Sequence, residues 1–176
     1  MKVTWFVLGV VATLVALSAA AYIYIEQGFV SARADVQAGA LDGWLGSAMD
    51  ASTARHAPKM TNPVADTPDA LQAGAKIYGS RCSICHGSPG DKESLLGGSL
   101  NPPAPQFFGD DPPDMAENEN YYIIKHGVRM TGMPAWGKLL GEEQIWQTVD
   151  VLKHINDKNL PPEVMQELDM PKAAPQ

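Results

Sequence analysis

Residues 82–86 read Cys-Ser-Ile-Cys-His, and this stretch determines which fold the chain is expected to adopt. It contains the only two cysteines among the 176 residues, and a histidine follows the second one directly. This is the spacing of covalent haem attachment, because two thiols three positions apart can each bond one vinyl-derived carbon of a porphyrin. The adjacent His86 can then offer a ring nitrogen to the iron. We therefore predict one haem c, attached covalently through Cys82 and Cys85.

Three other interpretations of this motif are weaker. A thioredoxin-like cysteine pair requires a βαβ context, which the neighbouring sequence does not show. A structural zinc site requires four ligands, and none of the remaining histidines (His56, His126 and His154) has ligand spacing to the motif. A disulfide across two intervening residues would close a small loop of little entropic value. Covalent haem attachment remains the preferred interpretation.

The charge of the chain bears on its partners. The sequence has 20 acidic and 13 basic residues and a formal net charge of −7. A negative chain argues against nucleic-acid binding, which requires a basic surface. Its acidity would favour docking on a basic patch of a partner protein, or it serves solubility alone.

The N-terminal stretch Val3–Ile25 contains no charged residue. Its 23 residues are enough to cross the hydrocarbon core of a membrane as a helix. Lys2 lies on the N-terminal side, so the positive-inside rule places the rest of the chain outside. Ala19–Ala21 could instead be a signal-peptide cleavage site, but the apolar run continues beyond it, which favours a retained anchor at residues 1–25. The predicted location is the inner (cytoplasmic) membrane, single-pass, with the haem domain in the periplasm.

Residues 26–66 are predicted to form a connector rich in small residues. An apolar repeat within it indicates an amphipathic helix near 41–55. The members of the repeat are Leu41, Trp44, Leu45, Ala48 and Met49. This helix could lie on the haem domain or on a partner subunit, or the stretch could be a partly ordered tether. We expect the haem domain over 67–160 and a tail over 161–176 with at most one turn of helix.

Within the haem domain, a first helix is expected to lead into the motif. Thr67 is a suitable N-cap for it, and Pro68 suits the first helical position. Residues 87–114 are rich in Gly and Pro and are predicted to be loop. Two further helices are predicted over Glu117–His126 and Glu142–Asn156 from their apolar spacing.

The motif supplies one axial ligand, His86, and the second ligand must come from elsewhere in the chain. Met133 is the strongest candidate because it lies in the loop between the last two predicted helices. Gly132 permits an unusual backbone angle before it, and Pro134 stiffens the chain after it. A His/Met pair is a standard arrangement for electron transfer. The other candidates are Met130, Met115, Met60, His126, His154 and His56.

The order of these features resembles a class I cytochrome c domain behind an N-terminal membrane anchor. A helix leads into C-x-x-C-H, and a Pro-rich loop, a short helix, a methionine loop and a C-terminal helix follow, over about residues 67–160. The resemblance implies an all-α fold around one haem, in which the first and last helices cross. By that pattern Gly74 and Tyr78 would meet the face of Trp146 and Val149, where a small residue lets the backbones approach.

The resemblance also implies a proline carbonyl that accepts the imidazole proton of the ligand histidine and orients the ring. Pro102, Pro103 and Pro105 are the available residues, and we favour Pro103. It implies no catalytic residue in the chain.

The predicted function is one-electron transfer rather than catalysis, because an iron with both His86 and Met133 bound has no open position for a substrate. The expected partners are membrane redox complexes of a respiratory chain: a quinol-oxidising complex, a dehydrogenase or a terminal oxidase. Two alternatives stay open. One is a five-coordinate haem sensor or enzyme, which requires that Met133 does not bind iron. The other is a relay or structural subunit of a larger membrane complex.

Overall fold

The computed structural model of the protein describes residues 2–36, 39–91, 93–109 and 111–169. Within these ranges all regular structure is helical, which confirms the predicted all-α fold. The chain divides into two units, Met1–Val36 and Gln37–Gln176.

The first unit contains helix α1, Lys2–Glu26. None of its 25 residues is buried within the protein, and its most apolar window has a mean hydropathy of 2.3. At about 1.5 Å per residue, a helix of this length exceeds the roughly 30 Å of a hydrocarbon core. By length and composition α1 is therefore a candidate membrane span.

The second unit begins with helix α2, Ala40–His56, in the stretch where the sequence predicted a helix. The amphipathic pattern is weaker than expected, because Leu41 and Trp44 are exposed and Thr53 is the buried residue of the helix. The C-terminal half of α2 lies nearer the core, since Ala57 just beyond it is also buried.

The chain after α2 runs back along the last long helix of the unit, α6, Glu142–Asn156. The Asn62 side-chain amide donates to the Asp150 carboxylate at 2.7 Å and, more weakly, to the Trp146 carbonyl at 3.4 Å. One turn further along α6, Nε2 of His154 lies 3.1 Å from the Asp66 carboxylate. His154 is therefore half-buried against the connector.

Helix α3, Pro68–Ile77, starts as the sequence predicts. The Thr67 hydroxyl accepts a hydrogen bond from the Ala70 amide at 3.3 Å, and proline occupies the first helical position. α3 crosses α6 at Gly74, where a Cβ would meet the Gln147 carbonyl and Val151. The two backbones are close enough that only glycine fits, and the atoms nearest to such a Cβ belong to Gln147 and Val151.

A single π-helical turn, Tyr78–Cys82, separates α3 from the short helix α4, Ser83–His86. Tyr78 is fully buried, and its hydroxyl donates to the Gly87 carbonyl at 2.9 Å. The sequence predicted a helix into Cys82 but not this change of pitch.

The remaining helices complete the core. A loop with a 3-10 turn at Gly97–Ser99 leads to α5, Glu117–His126, which the helix α2 contacts. A second 3-10 turn at Trp136–Lys138 precedes α6. The buried cluster consists of Leu71, Ala75, Tyr78, Tyr121, Ile124, Leu140, Ile145, Trp146, Val149, Val151, Leu152, Ile155, Val164 and Leu168.

The helix at the C-terminal end is longer than the single turn that the sequence predicted. Helix α7, Pro162–Asp169, packs against α3 and buries Val164 and Leu168. Proline suits the first turn of a helix as well as the end of a preceding one, and the two apolar residues four positions apart share a face. The rest of the predicted tail, residues 170–176, lies outside the described residues.

Candidate functional site

A cavity of about 600 Å³ in the second unit brings the predicted haem-binding residues together: Cys82, Cys85, His86 and Met133 all line it. This volume lies within the range of roughly 300–1,000 Å³ that is usual for cofactor pockets. Much of the remaining wall is apolar and includes Leu100, Phe107, Ile123, Ile124, Trp136 and Leu152. Residues that are 51 positions apart in the sequence, Cys82 and Met133, therefore share one site.

Both cysteines are free thiols and half-buried. Burial raises the pKa of the Cys82 thiol to about 12, and burial also raises the pKa of Cys85. The thiols therefore stay protonated near neutral pH, unlike the low-pKa cysteines of redox enzymes. Among the described residues no group of three or more His, Cys, Asp or Glu side chains is arranged to hold a metal ion.

The His86 imidazole is oriented by a backbone carbonyl, but the residue is Pro105 and not Pro103. Its Nδ1 lies 2.9 Å from the Pro105 oxygen. The register is set by two backbone bonds, from the Ala104 amide to the Gly97 carbonyl and from the Phe107 amide to the His86 carbonyl, each 3.0 Å. Those bonds bring the carbonyl of Pro105 to the ring.

This hydrogen bond determines which ring nitrogen is available. A carbonyl can only accept, so Nδ1 of His86 carries the proton and Nε2 keeps its lone pair. Burial lowers the pKa of His86, and the hydrogen bond to Pro105 partly opposes that shift. The imidazole is therefore neutral near pH 7, which is the form that binds a metal.

Two polar side chains hydrogen-bond to the Cys85 carbonyl and form what we call the polar clasp. We use this term for Ser94 and Gln106, whose hydroxyl and amide donate to that oxygen at 2.7 and 3.0 Å. The Ser94 amide also donates to the Gln106 side chain at 2.8 Å. Gly97 lies against all three groups, because a Cβ there would meet the Ser94 hydroxyl, the Cys85 carbonyl and the Gln106 amide. Nothing in the sequence singled out Ser94 or Gln106.

An aromatic ring also contacts His86. The Phe107 ring stacks on the His86 imidazole with a centroid separation of 4.4 Å and an interplanar angle of 8°. Phe107 is half-buried and lines the cavity as well. The sequence analysis did not identify this residue.

Met133 enters the site from the loop between α5 and α6. Its amide donates to the Thr131 hydroxyl at 3.1 Å, and its carbonyl accepts from the Val128 amide at 3.2 Å. The positive backbone angles in this loop belong to Gly127 (φ 70°) and Met130 (φ 61°), and not to Gly132 as the sequence suggested. A Cβ at Gly127 would meet the backbone of residues 133–135 within 2.8 Å.

The other candidate ligands separate clearly. Met115 lines the cavity and is half-buried, so it is the alternative sulfur ligand. Met130 is 68% exposed and does not line the cavity, and His154 contacts the connector instead. The remaining candidates are exposed: Met60, His126 and His56.

These residues fit a haem. The cavity is large and mainly apolar, and two free thiols and a neutral imidazole with an available Nε2 lie at its wall. Arg81 also lines it, with its guanidinium 5.8 Å from the centre of the Trp136 ring. A cation at this position could pair with a carboxylate of the porphyrin.

Comparison with known proteins finds a matching family over part of the chain. Residues 69–151 match the family described as "Cytochrome C oxidase, cbb3-type, subunit III", a range that contains both predicted axial ligands and both predicted attachment cysteines. The quinohemoprotein alcohol dehydrogenase ADH IIB of Pseudomonas putida is 27% identical over 108 residues, which are 61% of this chain and 14% of that protein. Among solved structures, the reducing HAO-like protein complex Kustc0457/Kustc0458 of Kuenenia stuttgartiensis aligns with a TM-score of 0.45 and 21% identity, over 56% of this chain and 50% of that one. The matched range, the motif and the all-helical fold agree with one another, and residues 69–151 are in these respects similar to a class I c-type cytochrome domain.

Proposed function

We propose that the protein carries one electron at a time on a single haem c, bound covalently through Cys82 and Cys85, with His86 and Met133 as the axial ligands. The observation that supports this proposal is the shared cavity, which these four side chains line together. When bound, the haem supplies the one-electron couple between ferrous and ferric iron.

The residues of the chain define how the site would work. The Pro105 carbonyl keeps the proton on Nδ1 of His86, so that Nε2 serves the metal. The apolar wall excludes water from the site, and a methionine sulfur as the second ligand favours the ferrous form, which raises the potential. Met133 would leave no open position for a substrate, so we infer a carrier and not an enzyme.

For the organisation of the chain, we propose an anchor at residues 1–25, a connector at 26–66 and a haem domain at 67–160 that α7 completes. Helix α1 would cross the inner membrane once, with Lys2 on the cytoplasmic side. The connector and the haem domain, which follow the anchor in the chain, would then both lie in the periplasm.

The partners would be membrane redox complexes. The matched family is described as a subunit of an oxidase, and the Pseudomonas putida relative is by its name a dehydrogenase. Both support electron exchange with a dehydrogenase, a quinol-oxidising complex or a terminal oxidase. The family description also favours a second candidate, a fixed relay subunit that stays within one such complex. Extraction in mild detergent distinguishes the two candidates. A shuttle should be extracted as a single protein, whereas a fixed subunit should be extracted together with the rest of its complex.

Replacement of the sulfur ligand tests the proposal. In the haem-loaded protein, Met133→Ala should remove the weak far-red absorption of a sulfur–iron bond and allow the reduced form to bind carbon monoxide rapidly. Met115→Ala and Met130→Ala are the matched controls, one inside the cavity and one on the surface, and both should keep the band.

Two results would contradict it. If the band survives in Met133→Ala and disappears in Met115→Ala, the second ligand is Met115. If the unaltered protein lacks the band and binds carbon monoxide rapidly, the haem is five-coordinate and the sensor or enzyme alternative replaces the carrier.

A further inference from the structure

We propose that Phe107 is a positioning residue that fixes the plane of the His86 imidazole relative to the haem. The inference rests on the proposed function, because it assumes that His86 binds the iron. It concerns the rotation of the ring and not whether the ring binds.

The hydrogen bond to Pro105 cannot fix that rotation alone. It places Nδ1 of His86 2.9 Å from the carbonyl oxygen, but hydrogen-bond angles are broadly distributed, so the ring can still rotate about its Cβ–Cγ bond within that tolerance. A second constraint is needed to define the plane of the ring.

The Phe107 side chain provides this constraint. Its ring lies nearly parallel to the imidazole, at 8°, with the centroids 4.4 Å apart. Two flat rings in this contact cannot tilt against each other without losing it or overlapping. Any rotation of the imidazole about its Cβ–Cγ bond must therefore displace Phe107.

Phe107 is itself held in place. Its amide donates to the His86 carbonyl at 3.0 Å, so the stacked pair is also joined through the backbone. Its neighbour Gln106 belongs to the clasp on the Cys85 carbonyl. The ring that limits the motion of the ligand is thus anchored to the segment that carries the ligand.

The plane of an axial imidazole has an electronic consequence. Its π orbital overlaps one direction of the iron d orbitals, so a single fixed plane gives the ferric state one well-defined magnetic anisotropy. A ring free to pivot gives a distribution of anisotropies. The expected role of Phe107 is therefore visible in the magnetic spectrum of the loaded protein even when absorption and haem content do not change.

The experiment compares two adjacent phenylalanines in the haem-loaded, full-length protein. Phe107→Leu removes the stacked ring, whereas Phe107→Tyr keeps it. Phe108→Leu is the control, because Phe108 is also half-buried but packs edge-on against Tyr78, with centroids 6.1 Å apart, and does not line the cavity. We expect Phe107→Leu to broaden or split the low-spin ferric resonance, and the other two variants to keep the single wild-type signal.

An unchanged resonance in Phe107→Leu, or the same broadening in Phe108→Leu, would overturn the inference. Should Phe107→Leu fail to accumulate, nuclear Overhauser contacts between the Phe107 and His86 rings in the reduced wild-type protein decide the matter, and their absence overturns it. If the wild-type ferric protein shows no low-spin signal at all, the proposed His/Met ligation fails instead, so the two failures are distinguishable.

Discussion

The two ligands of the proposed haem site are held in very different ways. On the His86 side, the ring is fixed by the Pro105 carbonyl and the Phe107 ring, and the clasp of Ser94 and Gln106 holds the adjacent backbone. On the Met133 side, the bonds through Thr131 and Val128 hold only the backbone of the loop. The side chain of Met133 is placed by packing against the core.

This difference indicates a division of labour between the two halves of the site. The histidine belongs to the segment that would be covalently joined to the cofactor, so its geometry can be set once and kept. The methionine lies on a loop whose shape depends on few groups, and packing alone is readily perturbed. We therefore expect mild denaturing conditions to displace Met133 first. His86 should keep its position until the whole domain unfolds.

The largest effect is expected when the histidine side is broken at Gly97. In Gly97→Ala the new Cβ meets three polar groups that hold the motif, namely the Ser94 hydroxyl, the Cys85 carbonyl and the Gln106 amide. Overpacking and the loss of two hydrogen bonds should together lower the free energy of unfolding by about 3–5 kcal/mol. Chemical denaturation of the haem-loaded protein measures it.

The matched control is the next residue. A Cβ at Gly98 would meet only the end of the flexible Glu93 side chain, which can move away. Gly98→Ala should therefore change the stability by less than about 1 kcal/mol. Equal losses in the two alanine variants would mean that the clasp does not support the motif.

A smaller and more local effect is expected on the methionine side. Gly127 has φ 70°, and its Cβ would meet the backbone of residues 133–135. Gly127→Ala should lower the free energy of unfolding by about 2–4 kcal/mol and should displace the ligand loop, because strain and overlap act together there. The measurement is the far-red sulfur–iron absorption, which we expect to weaken while haem attachment is retained.

Gly132 provides the control for this loop. A Cβ there would meet only the Leu100 side chain, at 2.8 Å or more, which can adjust its rotamer. Gly132→Ala should keep the absorption band. Loss of the band in Gly132→Ala and its survival in Gly127→Ala would reverse the proposed view of how the loop is held.

The smallest effect is expected from a site that belongs to neither side. Asp150 on α6 is 3% exposed, and burial together with the nearby Asp66 raises its pKa from 3.8 to about 6. The folded state therefore binds this proton more tightly than the unfolded state. The free energy of unfolding should fall as the pH rises from about 4 to about 6, and the loss should persist above that window.

Asp150→Asn should remove this loss, since the amide oxygen can still accept the hydrogen bond from Asn62. At pH 7 we expect the variant to be more stable than wild type by about 1–3 kcal/mol, with the difference shrinking towards pH 4. The far-red absorption and the low-spin ferric resonance should both stay unchanged, because the substitution alters the stability of the whole domain and not the haem ligands. Asp157→Asn, at the exposed end of the same helix, should show no such pH dependence; a similar gain there would point to the overall charge instead.

Features that depend on local chemistry were predictable from the sequence. The motif at residues 82–86 and the cap at Thr67 each follow from neighbouring residues, and the structure has the helices at Glu117–His126 and Glu142–Asn156. The candidate ligand Met133 was found because the motif implied that a second ligand exists. The structure brings it to the same cavity as the motif, although its role as a ligand stays a prediction.

Features that depend on how distant segments meet were not predictable. Pro105 and Pro103 differ only by two positions in a Pro-rich run, and the choice is made by backbone bonds to Gly97 and His86. Ser94 and Gln106 are ordinary polar residues until folding places them on one carbonyl. The length of helix α7 was not predictable, because its two buried residues, Val164 and Leu168, are informative only once the packing against α3 is known.

The π turn at Tyr78–Cys82 sets the direction in which the side chains of the haem motif point. An α-helix advances by about 100° per residue, so the extra residue of one π turn offsets everything that follows by about that angle. The rotation of α3 about its axis is set by its packing against α6, and the cysteines that follow must line the cavity. The π turn supplies the difference in rotation between the two. Removal of one residue there would leave the five letters of the motif intact and point them elsewhere. The orientation of the motif in this chain therefore depends in part on the residues that precede it.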